Sequence, residues 1–207
     1  KTPLVEVEVQ FISFAASDIA DLSKSGIIEA ETLLSLHREG KGALVCAPKI
    51  VAPLGVEATL KQVVEVIYPT DFFVSTVTNI PGKPESCAAV VEPNGFETRE
   101  VGVVLQVLAK AAAEPDVFDL LLAPQLVTEE SWRTYIAAYT DPSGKEHTAE
   151  LPLPFFLTQQ FTTNIRLREG QATICGGGMP SRDKKTVTYG FVTARLFRPH
   201  KKTQDRK

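Results

Sequence analysis

Histidine and cysteine are scarce in this chain of 207 residues, three of each, and the few present form no metal or redox pattern. Cys46, Cys87 and Cys175 stand far apart without CxxC spacing, so neither a zinc site nor a dithiol motif is encoded. One disulfide with one thiol, or three free thiols, are both compatible with these positions. No acidic or thiol cluster surrounds the histidines, and no metal or cofactor is expected. GxSxG, HExxH and a GxGxxG opening a helix are all missing. No apolar run approaches the roughly 20 residues of a membrane-spanning helix, which leaves β-barrel strands untested because their trace is weaker. There is no internal repeat and no low-complexity tract. The chain begins at Lys1 with neither an initiator Met nor an apolar leader, as expected of a mature or trimmed chain whose signal peptide has been removed.

What is present is ordinary globular composition, 43% hydrophobic and 23% charged. A chain of this size buries about 70% of its unfolded surface and needs no staples. The net charge of −3 is uneven. Arg198 to Lys207 holds five Lys/Arg against one Asp, +4, which leaves −7 for the body. A mildly acidic body argues against nucleic acid as partner, and the basic tail reads as a solvated terminus.

Strand patterning dominates. Val5, Val7, Val9 and Phe11 alternate with Glu6, Glu8 and Gln10 over Leu4 to Phe14. Ile27 to Glu39 has helical spacing and ends at Gly40, with His37 at the C-terminal end. Ala43 to Val51 reads as a strand interrupted at Pro48. After a Leu54-Gly55 turn, Val56 to Tyr68 alternates, with Ala58, Leu60, Val64 and Val66 on one face. Pro69 to Asn94, rich in Pro and Gly, is expected to be a loop-rich insertion. Thr98 to Ala109 and Asp116 to Val127 form a pair joined by Glu114-Pro115-Asp116. Trp132 to Thr140, Phe161 to Arg168, Gln171 to Gly176 and Thr186 to Leu196 complete the set, with Glu169-Gly170 read as a tight hairpin. The expectation is a mostly β, single-domain β-sandwich or barrel-like fold of antiparallel sheets. It has about eight or nine strands and one N-terminal α-helix. The domain covers 1–197, with the insertion at 69–94 and a flexible tail at 198–207.

Catalytic constellations are weak. Gly176-Gly177-Gly178 is not followed by a helix, so it reads as a structural turn and not as a phosphate cradle. An acidic pair such as Asp119 with Glu129 is expected by chance among 25 carboxylates. Trp132, Tyr135 and Tyr139 could line a sugar or partner surface, although such spacing more often means packing. No catalytic residue is expected, and the chain is read as a non-enzyme.

Several ordered blocks resemble one family. They begin with Val5-Glu6-Val7-Glu8-Val9-Gln10-Phe11, Gly40 to Val51, Glu57-Ala58-Thr59-Leu60 and Tyr68-Pro69-Thr70. Then come Phe96-Glu97-Thr98-Arg99-Glu100-Val101-Gly102-Val103-Val104-Leu105, Asp119 to Val127, Phe161 to Gln171, Ile174-Cys175-Gly176-Gly177 and Phe191 to Leu196. Together they resemble the secretin C-terminal domain of type II and type III secretion and of type IV pili, in the version of Verrucomicrobia-type envelopes. In that family the subunits close into a ring whose strands form a gated pore, without covalent chemistry.

The chain departs from the pattern after Gly178, where only Met179 to Lys185 precedes the closing strand and the family's Pro- and Gly-rich stretch is largely missing. The resemblance implies a non-catalytic component of a type IV pilus or type II secretion-like system. It would sit in the periplasm or outer membrane of a bacterial envelope and act on protein components of that machine. Two alternatives stand beside it: a fragment of a true pore-forming secretin, and an immunoglobulin-like adhesin or carbohydrate-binding module. Phe72, Phe73, Pro81, Trp132 and Tyr135 are the candidate partner contacts. Gly102, Gly170, Gly176 and Gly177 are the structural candidates.

Overall fold

The computed structural model describes residues 2–24, 26–80, 83–141 and 144–198, with backbone alone for 76–80, 83–89 and 130. The order is β1 (Leu4–Ala15), α1 (Ala16–Lys24), α2 (Ala30–Arg38), β2 (Gly42–Cys46), β3 (Lys49–Pro53) and β4 (Glu57–Ile80). It continues with β5 (Lys83–Ala111), β6 (Val117–Thr140), β7 (Glu146–Gln160), β8 (Thr163–Arg168), β9 (Thr173–Pro180) and β10 (Thr186–Leu196). Among the described residues these make two antiparallel five-stranded sheets and no closed barrel. One sheet runs β2-β1-β10-β9 with β3 also on β1; the other runs β4-β5-β6-β7 with β8 on β6.

By contact density the chain divides into two compact units. The first comprises Lys1–Gln62, Val103–Leu126 and Gln159–Lys207; the second comprises Val63–Gly102 and Val127–Thr158. In the first unit, alternation along β1 sorts its side chains onto two faces. Val5, Val7, Val9 and Phe11 meet Val103, Leu105 and Val107 of β5 and Phe118, Leu120 and Leu122 of β6 in a sandwich core. Each such side chain contributes about 1.5–3 kcal/mol by leaving water. The opposite face carries Ile12 and Phe14, which with Phe191 are covered by Ile19 of α1 and Leu33 of α2. Where the helices do not reach, the same face is charged. Lys49 Nζ lies 3.4 Å from Glu6 and 2.9 Å from Glu8. Burial works against the Glu8 carboxylate, but the Gln10 amide and Lys49 ammonium hold its pKa below the ordinary value.

Helix α2 ends as its sequence predicts: the Lys41 N–H returns to the Leu36 carbonyl at 2.9 Å. His37 Nδ1 lies 2.7 Å from the Gly42 carbonyl, an arrangement in which the ring nitrogen must donate. Helix α1 departs from the expectation of one helix. Its signal was only the Ile19–Leu22 spacing, and its N-terminus is fixed by a non-local bond, Ala16 N–H to Lys185 carbonyl at 2.8 Å.

Three other expectations are corrected. The loop-rich insertion at 69–94 is strand wherever described, within β4 and β5. Pro69 is tolerated because β4 is an outer strand with a side that need not donate. Pro93 and Gly95 both fall within β5, Gly95 at φ 64°. β7 was not foreseen, because Pro152 and Pro154 disguise its alternation. Glu169-Gly170 is a turn, with the Gln171 N–H 3.0 Å from the Arg168 carbonyl, but it makes no hairpin: β8 pairs with β6 and β9 with β10. The tail from residue 199 onward lies outside the described residues.

Candidate interaction surface

The second unit is one layer of sheet. It takes its residues from β4, β5, β6 and β7, strands of 24, 29, 24 and 15 residues. Mean strands run about 5–6 residues, so a 24-residue strand, about 80 Å of contour at 3.3 Å per residue, is exceptional. The connections between these strands are short, which obliges them to be antiparallel. Among the described residues of this unit, Val127 alone is buried. Neither core cluster includes any residue of the unit.

Both faces therefore carry apolar side chains in water. Val64 is 70% exposed, Ile67 66%, Phe96 60% and Ile136 74%. On one face the Tyr68 and Phe156 rings lie 5.5 Å apart, and the Tyr68 hydroxyl donates to Glu97 at 3.2 Å. Burial and the adjacent Glu97 carboxylate push the Tyr68 phenol above its ordinary pKa. Beside them the Arg99 guanidinium donates to the Thr158 hydroxyl at 2.8 Å. Phe155, next to Phe156 on β7, points to the other face, where Arg133 lies 5.3 Å from its ring centre. Near the β6–β7 connection, His147 stacks on Tyr139 and donates through Nε2 to Asp141 at 2.9 Å.

The partner contacts expected from sequence do not all fall on one face of the sheet. Phe72 is half-buried and Phe73 exposed, and as neighbours on β4 they face opposite ways. Trp132 and Tyr135 are three apart on β6, again an opposite-face spacing, so they make no common sugar platform. The Trp132 indole N–H donates to the Glu129 carboxylate. Pro81 lies outside the described residues. Asp119 and Glu129 are ten residues apart on β6, roughly 33 Å along an extended strand, too far for a paired-carboxylate mechanism. Asp119 is held instead by Arg166 through two bonds of 2.7 and 3.0 Å, and the guanidinium keeps its carboxyl below the usual range. Sequence reasoning passed over Ile67, Phe96 and Ile136. Alternation did mark Val64 as one of an apolar row, but not that nothing covers it.

The structural glycines have distinct reasons. Gly102 sits at φ 136° and Gly170 at φ 75°, conformations that L side chains seldom adopt. Gly176 and Gly177 lie within β9 and not in the expected turn; a Cβ on Gly176 would stand 2.8 Å from the Phe161 ring, and one on Gly177 would run into Tyr189. Among the described residues no cluster of three or more His, Cys, Asp or Glu is placed to hold a metal ion.

No family model matches the chain, and no curated protein does. Solved structures similar to it include InvG, the secretin of the Salmonella SPI-1 type III secretion injectisome, at TM-score 0.49 and 11% identity over 99% of this chain and 67% of InvG. A chain in the structure of the Salmonella SPI-1 injectisome basal body proteins InvG, PrgH and PrgK gives TM-score 0.49 and 11% identity, covering 99% of this chain and 48% of that one. The type IV competence pilus secretin PilQ of V. cholerae gives 0.46 and 11% identity, covering 95% of this chain and 61% of PilQ. The chain thus spans about half to two thirds of the length of these structures.

Proposed function

We propose that this chain is a non-catalytic structural subunit of a bacterial envelope assembly of the secretin kind, adding its four long strands to a sheet shared between copies. The observation that carries this reading is the second unit: a single-layer sheet with one buried residue among those described. A layer with no core of its own gains stability only when something covers it or continues it. Its outer strands β4 and β7 offer unpaired edges, and strands of this length exceed the roughly 9–11 residues that cross a bilayer. No described helix is long and apolar enough to cross a membrane, so any crossing falls to the strands. The ordered sequence blocks, from the Val5–Phe11 strand to the Phe191–Leu196 strand, supply the family part of the proposal. They also suggest a type IV pilus or type II secretion-like machine, a Verrucomicrobia-type affiliation, an outer-membrane or periplasmic location and protein partners from that machine. Between the two envelope roles, this geometry favours the pore-forming subunit over a self-contained accessory.

Light scattering with and without detergent tests the assembly. A discrete multiple of 22.6 kDa that depends on detergent is the expected result. A monomer indifferent to detergent refutes it.

A further inference from the structure

The β6–β7 connection fixes which way each backbone group of β7 points. The Asp141 N–H donates to the Lys145 carbonyl at 2.9 Å and the Lys145 N–H to the Asp141 carboxylate at 3.0 Å, so the Lys145 carbonyl faces the end of β6. In an extended strand that direction repeats every second residue. Exposure alternates without a slip from Glu146 to Leu153, so 147, 149, 151 and 153 also face β6. The even residues face outward, away from the sheet, because β7 is its outer strand. Pro152 and Pro154 fall on that outward register. Their missing N–H groups leave the β6 ladder whole, and they remove two consecutive donors from the open edge. The edge thus has two zones: Glu146, Thr148 and Glu150 offer both donor and acceptor, whereas Pro152 and Pro154 offer carbonyls alone.

We propose that this proline pair is a stop that sets how far a strand from a second copy can zip onto β7. The incoming strand ladders along Glu146–Leu151 and is refused at Pro152. A second copy is the occupant that fits, because β4 is the other open edge of the same sheet and runs antiparallel to β7. Joining β7 of one copy to β4 of the next is head-to-tail, which closes into a ring or grows without end. A ladder limited to one end of the edge favours a defined joint over indefinite edge-to-edge pairing. The identity of the incoming strand rests on the assembly reading above; the register of the prolines does not.

The test replaces both prolines, Pro152→Thr with Pro154→Thr, which restores two outward donors. Association is followed by light scattering across concentration, and hydrogen exchange is measured over 146–160. The variant is expected to associate at concentrations at least tenfold lower than the unsubstituted chain, with outward amides beyond 151 protected at least tenfold. Equal association and equal exchange in the two proteins overturn the proposal. Should the double variant not fold, single prolines decide. Thr148→Pro, on the outward register, leaves the fold intact and weakens association, whereas Ala149→Pro breaks the β6 ladder. The reverse pattern overturns the register. An unsubstituted chain that stays monomeric in detergent sinks the assembly reading, while the contrast between Thr148→Pro and Ala149→Pro still judges the register.

Discussion

Gly176→Ala sets two effects of opposite sign against each other. Gly176 lies in β9 without a positive φ, so an alanine there reduces the freedom of the unfolded chain and stabilises by about 0.4–1 kcal/mol. Against this, the added Cβ would stand 2.8 Å from three atoms of the Phe161 ring. Carbon–carbon contact is comfortable at about 3.5 Å, so the ring must retreat by roughly 0.7 Å. Its retreat is obstructed by Phe11, whose ring centre lies 6.1 Å away with the two planes tilted at 54°. Overpacking of this kind costs about 1–3 kcal/mol, so at the middle of both ranges the clash wins by about 1.3 kcal/mol, within limits of about 0 and 2.6 kcal/mol. Urea unfolding of four proteins measures it: the unsubstituted chain, Gly176→Ala, Phe161→Ala and the double variant. Phe161→Ala removes the obstacle, so the Gly176→Ala penalty should vanish or change sign there, a coupling of at least about 1 kcal/mol. A penalty that persists undiminished without the Phe161 ring refutes the reasoning.

Three further outcomes follow from the same structure. Leu105→Ala, in the first unit's core, should cost about 2–5 kcal/mol, whereas Ile136→Ala, 74% exposed, should change urea stability of the dispersed protein by under about 0.5 kcal/mol. Gly102→Ala should lose about 1–3 kcal/mol because φ 136° is strained for alanine, again read by urea unfolding. Burial pushes the Cys46 thiol up to about 11 and the Cys175 thiol up to about 12. Both should therefore resist alkylation at pH 8 in the folded protein and react on unfolding. Because the folded values are raised, the stability tied to these thiols is whole below pH 9 and declines as pH climbs toward 11 and 12, which urea midpoints across that range would show.

Local pattern made much of the first unit legible. Alternation from Val5 to Phe11 gave both the strand and its buried face, and the spacing from Ala30 to His37 gave α2. What escaped was set at a distance. Pro152, Pro154 and Pro69 read as breakers, because sequence does not say that a strand lies at an edge where a missing donor is harmless. Glu169-Gly170 announces a turn, but a turn has no local mark for which sheet receives the next strand. The exposed rows of Val64 and Ile136 look like core rows, since alternation records which side chains share a face and not whether anything lies against it. For that reason the long central strands read as elements broken at 69–94 and around Trp132, and the interaction surface stayed hidden.

The pairing of β1 with β10 gives the molecule a timetable. Val5 lies opposite Leu196 and Ala15 opposite Thr186, so the central pair of this sheet joins segments at the two ends of the described chain. Closing a loop of that length costs about 5 kcal/mol of chain entropy beyond a constant, and topologies rich in such distant pairings fold in milliseconds to seconds. During synthesis Val5 and Val7 can pair early with Ala52 and Ile50 of β3, but the other edge of β1 has no partner until β10 has emerged. A chain stopped before β10 would hold the bare β1 edge indefinitely, as a substrate for chaperones or for another nascent chain.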